Sequence, residues 1–183
     1  MPDYNNLSSE ELMPMVGKGD REAFSCLMAR HMDMVYRVAC RHVGNDAEAE
    51  DISQEVFLRV WRKAGSYAPS AKFTTWLYTI TSNVCKSQLR SMWRRYIKLS
   101  GDGDVNMDVP DTEPIPVEIM IRKEVNEKIQ SAINSLPENQ RMALILKRYE
   151  DLSYAEIAEI MGSSVSAVES LLFRANTALR KTL

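Results

Sequence analysis

DISQEVFLRVWRKAGSYAPSAKFTTWLYTITSNVCKSQLRSMWRRY, residues 51–96, decides the fold, because it holds all three tryptophans of the chain and its clearest helical pattern. The pattern covers residues 52–63, breaks over residues 64–72 and resumes over residues 74–96. The second helix has an apolar stripe and also a polar, basic stripe whose members step by three or four: Asn83, Lys86 or Ser87, Arg90 and Arg94. One face is therefore predicted to meet a protein core and another to meet phosphates.

The bulk composition indicates a folded protein of one ordinary domain or two small ones. The chain has 183 residues, of which 45% are hydrophobic and 26% charged, with a net charge of −2. Residues 99–118 carry six acidic and no basic side chains, and they separate two mildly basic segments. No apolar run approaches the ~18 residues that cross a bilayer. We therefore expect no membrane insertion and no signal peptide.

The cysteines and histidines predict neither a disulfide nor a metal site. Cys26, Cys40 and Cys85 form no CxxC motif. The positions of His31 and His42 relative to each other and to the cysteines match no metal-ligand spacing. An odd number of cysteines in helix-like surroundings is typical of reduced, partly buried thiols in a cytoplasmic protein. We expect no metal and no cofactor.

Helix signals divide the chain into two helical parts. The first part has a short helix from Ser9, a long helix over residues 21–43 that Gly44 ends, a helix capped by Asn45 or Asp46, and the helix over residues 74–96. Residues 99–116 are rich in Gly, Pro and Asp, which predicts a flexible acidic linker.

The second part begins at residue 117 with a helix that runs to residue 135. Pro137 is placed at the first position of the next helix, and Ser153 and Glu156 form a capping box for a short one. Gly162 ends the short helix, and Ser163 or Ser164 caps the last. No convincing strand pattern appears, so the fold class is all-α, with two small helical domains over residues 1–98 and 117–183.

The C-terminal helix pair has the spacing of a helix-turn-helix, whose second helix enters the DNA major groove. Residues expected on the exposed face of this helix are Ser166, Ala167, Glu169, Ser170, Phe173 and Arg174. An αα-hairpin used for packing alone is the alternative.

Aromatic and basic residues alternate around the break at residues 64–72. They are Tyr67, Lys72, Phe73, Trp76 and Tyr78, followed by Lys86, Arg90, Arg94 and Arg95. Basic side chains neutralise phosphates, aromatic faces stack on bases, and a Gly/Pro/Ser loop can shape a pocket for an unstacked base. A solvated cationic face over an aromatic core is the alternative, and Trp76 in particular fits the core.

An acidic stretch opens the helix that begins near residue 46. Asp46, Glu48, Glu50 and Asp51 favour the positive end of a helix dipole, which explains part of the pattern. A docking surface for a basic partner, which would include Gln54 and Glu55, is the sharper interpretation.

Residues 51–83 with the basic helix that follows resemble region 2 of bacterial extracytoplasmic-function (ECF) sigma factors. SLPENQRMALILKRYEDLSYAEIAEIMGSSVSAVESLLFRANTALRK, residues 135–181, resembles their region 4. The resemblance covers nearly the whole chain apart from the N-terminal tail and the linker. It implies a protein that binds core RNA polymerase, recognises the −10 and −35 promoter elements and promotes promoter melting, with no catalytic residue of its own.

The resemblance also implies roles for individual residues. Asp51, Gln54 and Glu55 would contact the β′ coiled coil of the polymerase, and region 4 would contact the β flap. The −10 element would be bound by the loop at residues 65–72 and the basic helix, through Tyr67, Lys72, Phe73, Asn83, Lys86, Arg90 and Arg94. The −35 element would be bound by Arg148, Ser166, Ala167, Glu169, Ser170, Phe173 and Arg174. An anti-sigma factor is the further partner implied.

One residue departs from the family pattern. Many members have Lys or Arg where this chain has Glu169 or Leu171, which leaves Arg174 as the main cation of the reading face. A glutamate disfavours phosphate but accepts from cytosine N4. We expect Glu169 to read a cytosine or to orient Arg174, and we expect weak −35 binding without polymerase.

Three other classes of protein compete with this interpretation. A free-standing helix-turn-helix regulator explains the C-terminal part but not residues 51–95. A polymerase-binding adaptor would bind protein without reading promoters. An enzyme is disfavoured, because the chain has no Gly-rich phosphate loop, no metal-ligand spacing and no nucleophile with a nearby base.

Overall fold

A computed structural model describes residues 3–68, 72–99 and 117–182, and the side chains of residues 92–99 and 117–123 lie outside its description. These residues form eight α-helices and two short 3-10 turns, Tyr4–Asn6 and Ala64–Ser66, and none of them lies in a strand. The helices are α1 Ser9–Gly17, α2 Arg21–Val43, α3 Asp46–Lys63, α4 Phe73–Leu99, α5 Val117–Asn134, α6 Glu138–Arg148, α7 Tyr154–Met161 and α8 Val165–Thr182. The predicted all-α class is confirmed.

Most helix ends follow the capping signals of the sequence. Gly44 and Gly162 end α2 and α7 in the left-handed conformation, with φ of 73° and 60°, which a residue without Cβ adopts freely. Asn45 caps α3, and Ser153 with Glu156 forms the predicted capping box. Ser164 Oγ accepts from Ala167 N at the start of α8, so Ser164 is the cap.

Two predicted helix starts, those of α4 and α6, are wrong by one residue. Pro137 is the N-cap of α6 and not its first helical residue, because its ψ of 143° is extended. Helix α1 begins at Ser9 as predicted, and Ser8 caps it in a second capping box with Glu11. Helix α4 begins at Phe73, where the carboxylate of Glu10 on α1 accepts from the Phe73 amide.

The first four helices pack around one apolar core. Helix α2 lies against α1, α3 and α4, and α3 also packs on α4. Fully or almost fully buried side chains fill the space between them: Leu12, Met13, Leu27, Val35, Ile52, Val56, Val60, Phe73 and Leu77. Burial of each large aliphatic or aromatic side chain contributes about 1.5–3 kcal/mol, so this core is a main source of the stability of the first group.

The last four helices form a second group, in which α8 packs on α6 and α7. Ile157 and Ile160 of α7 and Val168 and Leu172 of α8 are buried between these helices, whereas Val165 at the start of α8 is 43% exposed. The predicted acidic linker lies outside the described residues, apart from Leu99, which is the last residue of α4.

The two groups are packed against each other, with α4 against α7 and α2 against α5 and α6. Tyr78 Oη donates to Glu150 Oε2 at 2.8 Å across the contact. The nearly buried guanidinium of Arg141 donates to the carbonyl of His42 at 2.7 Å and to the carbonyls of Asn134 and Leu136. Buried apolar residues of both groups belong to one continuous core, so the contact is partly apolar.

Candidate nucleic-acid interface

Helix α8 presents a buried face and an opposite exposed face. Val168, Leu172 and Ala175 are buried on the side of α8 that packs on the other helices of the second group. The exposed side carries Ser166, Glu169, Ser170, Arg174 and Phe173, and Ala167 is half-buried. Phe173 is 73% exposed, which is unusual for a large aromatic residue of a folded protein. The predicted reading face is therefore one continuous surface with polar, cationic and aromatic groups.

Further exposed polar groups lie at the first turn of α8, along α8 and at the end of α6. Ser164 Oγ lies 3.1 Å from Ser166 Oγ and also accepts from the Ala167 amide, so hydroxyl groups surround the helix start. Arg148 is the last residue of α6 and is exposed. Thr177, four residues beyond Phe173, is exposed as well, with its hydroxyl donating to the Phe173 carbonyl at 2.8 Å. The period of four from Phe173 could have placed Thr177 on this face from the sequence.

Among the described side chains of α4, fewer basic residues are fully exposed on the predicted stripe than expected. Asn83, Ser87 and Arg90 are exposed, whereas Lys86 is half-buried near His42. Arg90 Nε lies 4.0 Å from Glu138 Oε2 of α6, so this cation faces the second helix group. Residue Arg94 lies in α4, but its side chain is outside the described part of the chain.

The aromatic residues at the start of α4 form a cluster. The Tyr67 ring makes edge contacts with Phe73 at 6.2 Å and Trp76 at 5.2 Å between centroids. Tyr67 and Trp76 are half-buried, and Lys72 is exposed just before α4. Residues 69–71 of the predicted loop lie outside the described residues.

Phe73 requires a correction, because the predicted stacking of its ring on a base does not fit its position. Its side chain is completely buried. The ring contacts His31 at 5.0 Å and Trp76 at 5.9 Å between centroids, so it supports the cluster from within. Tyr67 and Trp76 are the aromatic side chains of this cluster that solvent reaches.

Helix α3 presents a separate exposed face on the first group. Asp51 and Gln54 are exposed, and Glu55 is half-buried and pairs with Arg59 at 2.7 Å within the helix. Leu58 stands on the same face, seven residues from Asp51 and four from Gln54, and it is 49% exposed. Its helical spacing from Gln54 was a usable signal in the sequence. A single exposed leucine is ordinary on a protein surface, so it is the position of Leu58 beside Asp51 and Gln54, and not its exposure, that relates it to this face.

The buried titratable groups are structural. His42 is completely buried, and burial, with Arg141 and Lys86 nearby, lowers its pKa to about 3. Burial raises the pKa of the Cys85 thiol to about 12.

In the described part of the chain, no group of His, Cys, Asp or Glu is arranged to hold a metal ion. None of the helices described is both long and apolar enough to span a bilayer.

Comparison with known proteins matches both helix groups to one family. The family described as Sigma-70 region 2 matches residues 27–95, and the family described as Sigma-70, region 4 matches residues 126–179. The chain is 33% identical over 184 residues to the RNA polymerase sigma-H factor of Pseudomonas aeruginosa, covering 95% of this chain and 93% of the relative. It is 34% identical over 181 residues to the ECF RNA polymerase sigma-E factor of Escherichia coli K12, covering 94% and 93%.

The fold also has a solved counterpart. The sigma factor RpoE of Bartonella quintana, solved in complex with the anti-sigma factor NepR, superposes with a TM-score of 0.66. The alignment covers 87% of this chain and 95% of that chain at 23% sequence identity, a likeness that concerns the fold. The family matches and the relatives extend over both helix groups. The chain belongs to the sigma-70 family of RNA polymerase sigma factors, in its ECF group.

Proposed function

We propose that this sigma factor binds core RNA polymerase and directs it to promoters that carry a −10 and a −35 element, where it promotes melting. The observation that carries the proposal is that α4 and α8, which belong to different helix groups, each present an exposed polar face opposite a buried apolar one. Residues 1–98 would serve the −10 element and residues 117–183 the −35 element, joined by the acidic residues 99–116.

Polymerase binding is assigned to the exposed face of α3. Asp51, Gln54 and Glu55 offer acceptors to a basic partner, and Leu58 adds an apolar anchor among them. This mixture of a central apolar group and a polar rim suits a protein partner better than DNA, which acidic residues repel. The partner proposed for this face is the β′ coiled coil, and the β flap is proposed for the second helix group.

Reading of the −10 element is assigned to the start and the exposed stripe of α4. Lys72 and Asn83 are exposed, and the accessible rings of Tyr67 and Trp76 could stack on an unpaired base. Arg90, and Arg94 further along α4, would neutralise phosphates. Since Arg90 faces Glu138 in the present arrangement, it would exchange this ion pair for a phosphate when DNA binds.

Reading of the −35 element is assigned to α8 in the major groove. Arg174 can donate to a guanine, Glu169 can accept from a cytosine, and Phe173 offers apolar contact to a thymine methyl group. Ser166 and Ser170 add hydroxyl groups on the same face, and Arg148 would contact a phosphate.

The remaining parts of the proposal concern chemistry, regulation and location. The polymerase would supply the phosphodiester chemistry, so we assign no catalytic residue to this chain. An anti-sigma factor is proposed as a regulatory partner, which the complex formed by RpoE of Bartonella quintana supports. Transcription by core polymerase would place the protein in the cytoplasm.

Reconstitution with core RNA polymerase and a pool of genomic promoter fragments tests the function, with transcripts read by sequencing. We expect defined start sites that share a −10 and a −35 element. Tight binding to core without transcripts would indicate an adaptor. Binding to DNA without any binding to core would indicate a free-standing regulator and would contradict the proposal.

A further inference from the structure

Helix α1 contacts both described ends of the segment at residues 65–72. At the far end, Glu10 Oε1 accepts a hydrogen bond of 2.8 Å from the amide of Phe73, the first residue of α4. The two residues are 63 positions apart in the chain. The residue before α4 is Lys72, whose side chain has no acceptor, and Glu10 of α1 supplies an acceptor for one of the amides that the first turn of α4 leaves unpaired.

At the near end, Gly17 approaches the backbone where the segment begins. A Cβ atom on Gly17 would lie 3.2 Å from the Ala64 carbonyl oxygen and 3.2 Å from Gly65 Cα. Ala64 is buried, and its 3-10 turn begins directly after α3. The absence of a side chain on Gly17 therefore allows α1 to pack closely against this end.

The helix that makes these two contacts is itself firmly held. Leu12, Met13 and Val16 of α1 are at most 2% exposed in the core of the first group. Ser9 Oγ lies 2.8 Å from His31 Nε2 on α2. The His31 ring in turn contacts the Phe73 ring, so side-chain and backbone contacts to Phe73 meet at one place.

Tyr67 connects this arrangement to the accessible aromatic cluster. Its ring rests against Phe73, whose amide Glu10 holds, and against Trp76 one turn further along α4. A displacement of the α4 start would therefore move the rings that are proposed to receive the unpaired base.

We propose that α1 is a brace that fixes the Ala64–Ser66 turn and the start of α4, with Glu10 and Gly17 as positioning residues for capture of the unpaired −10 base by the rings of Tyr67 and Trp76. This inference rests on the proposed function of the segment. In this role Glu10 and Gly17 act without touching the base, by fixing the backbone at Phe73 and Ala64. A base that stacks on rings already held in place does not have to order those rings on binding, which increases its affinity.

The test compares three full-length variants, Glu10→Ala, Glu10→Gln and Glu11→Ala, each assembled with core polymerase. Glu11 is the matched control, because its carboxylate caps α1 itself and does not reach the segment. The probe is a promoter recovered from the reconstitution, with 2-aminopurine in its −10 non-template strand, and fluorescence reports opening. A second assay measures binding of the single-stranded −10 oligonucleotide.

We expect Glu10→Ala to lower the opening rate and the oligonucleotide affinity by about tenfold, the usual effect of losing one charged hydrogen bond. Glu10→Gln should stay closer to the wild type, because its amide oxygen can still accept from the Phe73 amide. Core affinity should be unchanged in all variants. Equal effects of Glu10→Ala and Glu11→Ala, or no effect of Glu10→Ala, would overturn the brace.

Gly17→Ala provides an independent test at the other end of the segment. The added methyl group must displace the Ala64–Gly65 backbone, so we expect slower opening at temperatures well below the melting point of the variant. Unchanged opening would overturn the role of Gly17. If the wild-type holoenzyme opened no promoter, the proposed function would fail; if it opened promoters and the Glu10 and Gly17 variants did so equally well, the brace alone would fail.

Discussion

Glu169 stands on the exposed face of α8, four residues before Phe173 and five before Arg174. Its carboxylate disfavours phosphate, which leaves a base edge or a neighbouring cation as its partner. We predict that Glu169→Ala relaxes the preference for cytosine at one −35 position by about 1–3 kcal/mol. Holoenzyme binding to a library of −35 sequences measures this, with Glu159→Ala on α7 as an exposed acidic control. An unchanged preference would refute base reading by Glu169.

His42 makes the stability of the protein depend on pH. Its pKa is lowered to about 3 by burial, from the ordinary value of about 6.5. The unfolded chain therefore binds a proton below about pH 6.5 that the folded chain rejects, and stability falls as the pH falls toward 3. Between about pH 7 and pH 5 the loss from this group is about 2 kcal/mol. In urea denaturation, His42→Leu should lose correspondingly less stability than the wild type over this range, and equal losses would contradict the assignment.

At the scale of single residues, the sequence predicted most exposed residues of α8 correctly but did not predict the burial of Phe73. Ser166, Glu169, Ser170 and Arg174 are exposed as expected, because a helical period determines the face once the helix is correct. Phe73 was misplaced because its burial depends on contacts such as that with His31, which belongs to another helix and is distant in the chain. Helical periodicity carries no information about such contacts between elements.

At the scale of elements, α3 is the best test of polymerase binding, since its exposed face includes Leu58. We predict that Leu58→Ala weakens binding to core by about 1–2 kcal/mol, because an apolar anchor within a polar rim contributes strongly to an interface. Folding should be unaffected, since the side chain is half exposed. Lys63→Ala, another exposed position of α3, is the control, and fluorescence anisotropy measures both affinities. Equal affinities of the two variants would place the interface elsewhere.

The element boundaries show what sequence signals can specify. Gly44, Gly162 and the Ser153–Glu156 box mark helix ends through local chemistry, and these predictions are confirmed. The start of α4 was missed by one residue because its cap, Glu10, comes from another helix. A local rule cannot anticipate a cap that tertiary packing delivers.

At the scale of the whole molecule, Arg141 links the two helix groups. It is the donor to the carbonyl of His42 in the first group and to those of Asn134 and Leu136 in the second. We predict that Arg141→Met destabilises the protein by about 2–4 kcal/mol, because it leaves buried carbonyls without donors. Arg148→Met, an exposed substitution on the same helix, should change the free energy of unfolding by less than about 0.5 kcal/mol. Similar urea midpoints for both variants would contradict the linking role.

The packing of the two groups could not be read from the sequence, which predicted two domains and an acidic linker between them. Tyr78 of the first group contacts Glu150 of the second, and Arg141 of the second group contacts His42 of the first. The local sequence around Tyr78 and Arg141 does not show whether their contacts lie within one group or between the two. The family matches over residues 27–95 and 126–179 agree with the two predicted parts. The contact between these parts is information that only the structure adds.

Permanganate footprinting of the holoenzyme on a recovered promoter tests the central claim most directly, because it detects unpaired thymines. The account predicts reactive thymines at the −10 element when this protein and core polymerase are both present. Mutation of the −35 element should reduce the extent of opening, and mutation of the −10 element should abolish it. Opening that was independent of this protein, or of both elements, would contradict the account.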